Sequence, residues 1–185
     1  MIIIKMKKLF NQVKVVNYDP AIKRIGVVAD THVPSRAHFL PPRLFEIFAD
    51  VQLILHAGDL VDEKVIDELS AIAPVEAVAG NMDPPRLQQK LGRLKLIKIG
   101  RLELGLLHGD LEGRNIVFKR ITELFLPEKP AAIIFGHLHV PVNKQVEQIL
   151  FFNPGSAVEP RSNSFASCGR MIICGNELNG EIIEI

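Results

Sequence analysis

The chain has only two cysteines, Cys168 and Cys174, among 185 residues. Two thiols make neither a disulfide framework nor a zinc-finger pattern, so a reducing, cytoplasmic setting is the expectation. Long apolar runs are missing as well; none approaches the roughly 18 residues of a membrane helix. The opening MIIIKMKKLF holds an Ile triplet too short for a signal-peptide core, with no small-residue cleavage site after it. A charge excess of either sign is absent, since 22 basic residues stand against 21 acidic ones. That balance lacks the footprint of a specific nucleic-acid binder or of a protein drawn to an acidic membrane. No linker, repeat or low-complexity stretch interrupts the chain. Apolar residues at 48% and charged residues at 23% describe a globular chain able to bury a core.

Regularity begins at Arg24. Residues 24–30 (RIGVVAD), 51–59 (VQLILHAGD) and 75–81 (VEAVAGN) are apolar runs of buried-strand length. Between them, Pro41 and Pro42 open a helix over 43–50. Apolar residues at 61, 65, 66, 69 and 72 give helical spacing over 61–72. Residues 94–107 alternate and turn at Gly100 and Arg101, which reads as a hairpin. Helical spacing returns over 115–126, and 131–135 (AAIIF) is a further strand. QILFFN, RMIIC and EIIEI follow as three strands with no helix between them. Alternating strands and helices argue for a parallel sheet with covering helices, and the strand-only tail for an antiparallel addition. Two mixed sheets packed face to face, with helices outside, satisfy both. Residues 1–22 read as an N-terminal extension, with VKVV a short edge strand and NYDP a turn. Residues 23–185 read as one domain.

The apolar strands share the chemistry of their ends. They lead into Asp30 and His32, into Asp59, into Asn81, into His108, and into His137 and His139. On extended chain, residues i and i+2 point to one side, so Gly-His-Leu-His would offer two imidazoles to one place. Any single Asp after a strand is commonly a turn residue or helix cap, and Asp59 and Asn81 fit those roles locally. Five such ends together are another matter. In open α/β sheets ligands bind beyond the carboxyl ends of the strands, and buried imidazoles and carboxylates need compensation. A metal centre is the simplest form of it. Gly58, Gly80, Gly109 and Gly136 stand beside these residues, where the backbone turns or approaches closely.

In this order, D-x-H, G-D, G-N-x-D, H-G and G-H-x-H resemble the calcineurin-like metallophosphoesterase superfamily. DTHVPSRAHFLPPRL, HAGDL, AGNMD, LLHGD, FGHLH and FNPGSAVEPR are similar to its small bacterial and archaeal phosphodiesterases. The resemblance implies an α/β fold, a four-layer α/β/β/α sandwich of two mixed β-sheets flanked by helices. It implies two divalent metal ions, one on Asp30, His32 and His139, the other on Asn81, His108 and His137, with Asp59 bridging. It further implies that a hydroxide bridging the ions attacks a small-molecule phosphodiester, Asp59, Asn81 and His108 acting through that hydroxide and through phosphate positioning. Nitrogen and oxygen ligands without thiolate suit Mn(II) first, with Fe, Co(II), Ni(II) or Zn as alternatives. The same fold serves as a non-catalytic scaffold in the retromer complex, which is the alternative reading; the complete ligand set favours catalysis. A nuclease would share the chemistry but needs a basic face that the charge pattern does not supply. No membrane partner is expected, and a homo-oligomer stays open.

Other residues are candidates for the substrate side. Asn153, Pro154, Gly155 and Ser156 resemble the family's N-P-G-S loop near the site, though a plain turn would look the same. Arg36 and Arg161 have guanidinium groups able to grip a phosphate, unless they are merely solvated. His38, in the loop after D-T-H, is a further substrate candidate. His56 reads as a core residue or a support for the ligands. Asp110 stands where many relatives carry histidine, and would bind metal, hold a histidine or repel an anionic substrate. Met82 stands where the superfamily's protein phosphatases carry a proton-donating histidine. Methionine donates no proton, so phosphodiesters with good leaving groups are the expected substrates.

Overall fold

Side-chain alternation sorts the strands into layers. In β2 (Arg24–Val28), Ile25 and Val27 point to one side and Val28 to the other. In β3 (Leu53–His56), Leu53 and Leu55 join the first side and Ile54 the second. The same division recurs in a second group of strands. In β7 (Ala132–Ile134) and β9 (Ile149–Asn153), Ala132, Ile134, Leu150 and Phe152 face the shared interior, while Ile133 and Phe151 face outward. The computed structural model, which describes residues 13–110, 118–126, 128–162 and 164–185, thus has one apolar cluster between two sheets and one on each outer face.

The five-stranded sheet has the order β11-β10-β2-β3-β4, with β4 at Val75–Ala77, β10 at Ser167–Cys174 and β11 at Glu177–Glu184. Strands β2, β3 and β4 are parallel, and β10 runs antiparallel to β2. Its outer face is covered by α1 (Pro42–Ile47), α2 (Lys64–Ser70) and α3 (Pro85–Leu91), through Leu44, Val65, Leu69, Leu87 and Leu91. The six-stranded sheet has the order β1-β5-β6-β7-β9-β8. Here β1 is Lys14–Tyr18, β5 Leu94–Ile99, β6 Leu102–Leu107 and β8 Val142–Val146. Its outer face packs on α4 (Phe118–Glu123) through Ile121. The layers are therefore α/β/β/α, as expected.

The hairpin forms over β5 and β6, with Gly100 at φ 60° in its turn. Other elements depart from the sequence reading. The expected edge strand at 13–16 runs on to Tyr18, so Asn17 and Tyr18 belong to β1 and not to a turn. It pairs in parallel with β5 of its own sheet. Helix α3 was not among the expected elements, since Pro84 and Pro85 beside each other suit a turn as well as a helix start. Pro85 opens the helix, and Leu87 and Leu91, four apart, are its buried face. Strand β8 (VNKQV) was missed because three of its five residues are exposed. The helix expected over 115–126 is seen over Phe118–Glu123, its residues 115–117 lying outside the described ones. Among the described residues no helix is long and apolar enough to cross a membrane.

Candidate metal centre

Strands β2, β3 and β4 run parallel, so their carboxyl ends share one edge of their sheet; β6 and β7 do the same in the other. The aspartates and histidines just beyond the ends of β2, β3, β6 and β7 meet. Asp30 Oδ1 lies 3.5 Å from His139 Nε2 and 3.9 Å from His108 Nε2. Asp59 Oδ2 lies 3.2 Å from His108 Nε2 and 3.8 Å from His32 Nε2. The Nε2 atoms of His32 and His139 are 3.3 Å apart, and the rings of His108 and His137 are 5.2 Å apart. Among the described residues, two sets have donor atoms close enough to share an ion: Asp30, His32 and His139, and Asp30, Asp59 and His108.

Backbone geometry aims these groups. Asp30, His32, Asp59, His137 and His139 all have φ between 45° and 69°, in the left-handed region that non-glycine residues seldom enter. Such strain persists where the surroundings over-determine it. It also changes the account of Gly-His-Leu-His. The two histidines do not stand side by side on extended chain; His137 turns to His108 and His139 to His32.

Four of the donors, Asp30, Asp59, His108 and His139, have their other polar atom occupied. Asp30 Oδ2 accepts the His137 N–H at 2.9 Å, and Asp59 Oδ1 accepts the Met82 N–H at 2.8 Å. His108 Nδ1 donates to the Ala57 carbonyl at 2.8 Å, and His139 Nδ1 to the Glu159 carbonyl at 2.7 Å. In neutral imidazole this leaves Nε2 as the lone-pair atom, turned to the centre. Asp30 Oδ1, His32 Nδ1 and His108 Nε2 are buried and make no hydrogen bond among the described residues. Buried atoms of that kind call for a partner. Gly80 makes room for the carboxylate, since a Cβ there would stand 2.0 Å from Asp59 Oδ1.

Asp83 belongs to this frame and escaped the sequence reading. It is buried, and its carboxylate accepts the N–H groups of Asp59 at 3.1 Å, Val61 at 2.6 Å and Gly80 at 2.8 Å. It ties the turn carrying Asp59 to the turn carrying Asn81. The fourth position of G-N-x-D was the available clue.

Residues 24–175 match the model of the calcineurin-like phosphoesterase superfamily domain. The chain belongs to that superfamily. It is 39% identical over 159 residues to a probable metallophosphoesterase of Methanothermobacter thermautotrophicus, covering 86% of this chain and 91% of that one. Two solved structures share the fold. Vacuolar Protein Sorting 29 from Cryptosporidium parvum aligns with a TM-score of 0.72 at 19% identity, over 89% of this chain and 98% of its own. A novel archaeal phosphodiesterase aligns with a TM-score of 0.61 at 24% identity, over 86% and 99%. The metallophosphoesterase family binds divalent metals, and the oxygen and nitrogen donors gathered here fit such ions.

The electrostatics of the site point the same way. Burial raises the Asp30 pKa to about 7, although the charge of His108 opposes it. Burial pulls His108 down, but Asp59 and Asp30 outweigh it and raise its pKa to about 9. Asp59, despite burial, is held below the usual carboxylate range by His108 and the Met82 N–H. Two acids thus draw positive charge to one buried place. Burial lowers the pKa values of His32 and His137, and that of His139 to about 4, as suits neutral donors. His56 is fully buried. It accepts the Gly58 N–H at Nδ1 and lies 3.1 Å from Thr31 Oγ1 through Nε2, supporting the loops of Asp30 and Asp59.

The remaining sequence candidates divide. Asn153 and Ser156, expected at the substrate, are fully buried and serve the frame instead. Asn153 donates to the Gly136 carbonyl at 2.7 Å and accepts the Gly155 N–H at 2.9 Å. Ser156 donates to the Asp30 carbonyl at 2.7 Å. Gly155, at φ 81°, packs against Ser167. Arg161 is exposed, with its charge felt at Asp30, His137 and His139. Arg36 is 3.6 Å from Glu159, joining the loops of His32 and His139. His38 is exposed, with its ring 6.5 Å from that of Phe39. Asn81 is exposed on the turn between Gly80 and Met82. Asp110, read as a metal ligand, a support for a histidine or a charge repelling an anionic substrate, forms an ion pair with Arg93.

Proposed function

We propose that this metallophosphoesterase hydrolyses small-molecule phosphodiesters with two divalent cations, Mn(II) first among them. Asp30, His32 and His139 would hold one ion and Asn81, His108 and His137 the other, with Asp59 shared. The reading is carried by the division of labour within the donors. Asp30 Oδ2, Asp59 Oδ1 and the Nδ1 atoms of His108 and His139 are spent on the backbone, while their opposite atoms converge on one buried place. When bound, two cations there supply a nucleophile from water at neutral pH and positive charge to meet the phosphate oxygens. The chain does the rest. Asp59 sets the spacing of the two halves, and the Arg161 guanidinium meets a non-esterified phosphate oxygen. Met82, half exposed beside Asp59, brings no proton to the leaving group. That favours diesters whose alcohol leaves unaided, and the archaeal phosphodiesterase of the same fold supports a diester substrate.

Hydrolysis of bis(4-nitrophenyl) phosphate and of 4-nitrophenyl phosphate, with Mn(II) added, tests the reading. Faster turnover of the diester is expected, and Asp59→Asn should lose both bound metal and rate. Met82→His should help substrates with poor leaving groups most, within the roughly 10²–10⁴-fold range of proton assistance. Two bound ions with no turnover of any phosphoester would assign the protein to the scaffold reading instead. An Asp59→Asn variant that kept both ions and near-normal rate would end the bridging role.

A further inference from the structure

A salt link beside the site has no part in the reading above. Arg93 Nη2 donates to both carboxylate oxygens of Asp110. The pair is largely withdrawn from water, with side chains 22% and 12% exposed. Its place follows from the hairpin. Leu94 pairs with Leu107, so Arg93 stands opposite His108 just past the paired ends of β5 and β6. Ala79 N donates to the Gly92 carbonyl at 2.8 Å, which ties the chain before Arg93 to the segment leading into Asn81. Asp110 follows His108 by two residues. Its charge is felt at His137, where it opposes the lowering of the pKa by burial.

A carboxylate two residues from His108 is a competent oxygen donor for a divalent cation. Both oxygens of Asp110 are instead taken by one guanidinium. We propose that Arg93 is a positioning residue that holds Asp110 off the cation served by His108 and His137. A coordination position then stays available to the phosphate, as a catalytic metal requires. This rests on the two-cation reading. Without Arg93, Asp110 becomes an additional anionic ligand: that cation is held more tightly, and an anionic substrate enters less easily. A link that only fixed the turn between α3 and β5 would alter stability and leave cation affinity alone.

The test is calorimetric titration of Mn(II) into metal-free wild type, Arg93→Met, Asp110→Asn and the double variant, with thermal melts beside it. Arg93→Met should hold one of its ions about tenfold more tightly than wild type, the lower end of the usual effect of groups that orient metal ligands. It should also show a raised KM for bis(4-nitrophenyl) phosphate. The double variant should return to wild-type affinity, and Asp110→Asn alone should keep it. Equal affinity in Arg93→Met and wild type overturns the inference. Should Arg93→Met not fold, Asp110→Asn decides. Unchanged affinity supports a carboxylate held off the metal, whereas a tenfold loss makes Asp110 an ordinary ligand and overturns the inference. Wild type that binds no divalent cation would be a different failure, that of the site reading itself.

Discussion

Asp83 and His56 act on the site without facing it, and each has a measurable consequence. Asp83 is the acceptor for three backbone N–H groups, those of Asp59, Val61 and Gly80. A buried donor left unpaired costs about 1–3 kcal/mol. Asp83→Ala should therefore lower unfolding stability by about 3 kcal/mol or more in urea, and weaken Mn(II) binding because the Asp59 turn loosens. A variant as stable as wild type would remove Asp83 from the frame. His56 carries the pH effect. Burial holds its pKa down at about 3, against about 6.5 in unfolded chain. Between those values the unfolded state binds a proton that the native state refuses, so His56 costs stability as pH falls below about 6.5. The difference between wild type and His56→Gln should move against wild type by up to about 1.4 kcal/mol per pH unit on acidification. Denaturation at pH 7 and pH 5 would show it, and a pH-independent difference would mean that His56 takes up its proton in the native state as readily as in the unfolded chain.

Strand β1 is where an element and the chemistry come apart. Tyr18, at its end, donates to Glu76 Oε1 at 3.0 Å, and Lys95 Nζ meets Glu76 Oε2 at 2.6 Å. Glu76 lies on β4 of one sheet and Lys95 on β5 of the other, so this triad links the two sheets at their edge. No ligand candidate precedes Asp30. A chain starting at Lys23 should keep its cation stoichiometry yet melt at lower temperature, having lost the β1–β5 ladder and the Tyr18 bond. Metal analysis beside a thermal melt separates the two effects. Loss of metal from a folded truncation would show that β1 reaches the site.

At the scale of the molecule, the two sheets bring different halves of the proposed donor set. Asp30, Asp59 and Asn81 follow strands of the five-stranded sheet; His108, His137 and His139 follow strands of the other. Cations bound between them should stabilise the native sandwich by mass action. With pKa values of about 7 for Asp30 and about 9 for His108, binding must release protons. Affinity therefore rises with pH across this interval, where protons compete less well for the donors. Chelation should lower the melting temperature, and Mn(II) should restore it by more at pH 8 than at pH 6. A restoration that ignored pH would show that Asp30 and His108 give up no protons to the metal.

Much of this was legible in the linear chain because the clues are local. The apolar runs of β2, β3, β7 and β9 read directly as buried strands, from their length and composition alone. The residue types at the strand ends, and the glycines beside them, are likewise read within a few positions. Where the chain is mostly polar, as in β8, or where a double proline has two local meanings, as at α3, periodicity has little to report. Tertiary structure decided what depends on distant partners. The Asp30 carboxylate is held by the backbone of His137, 107 positions away, and Ser156 is bonded to the Asp30 carbonyl across 126. No local pattern reveals that the Asn-Pro-Gly-Ser loop is buried, that Asp83 ties two turns, or that Arg93 takes Asp110. Sequence spells the donors because side-chain chemistry belongs to single residues. Only the folded chain selects which oxygen or nitrogen is left for a cation, because that depends on which backbone groups the fold brings to its other atoms.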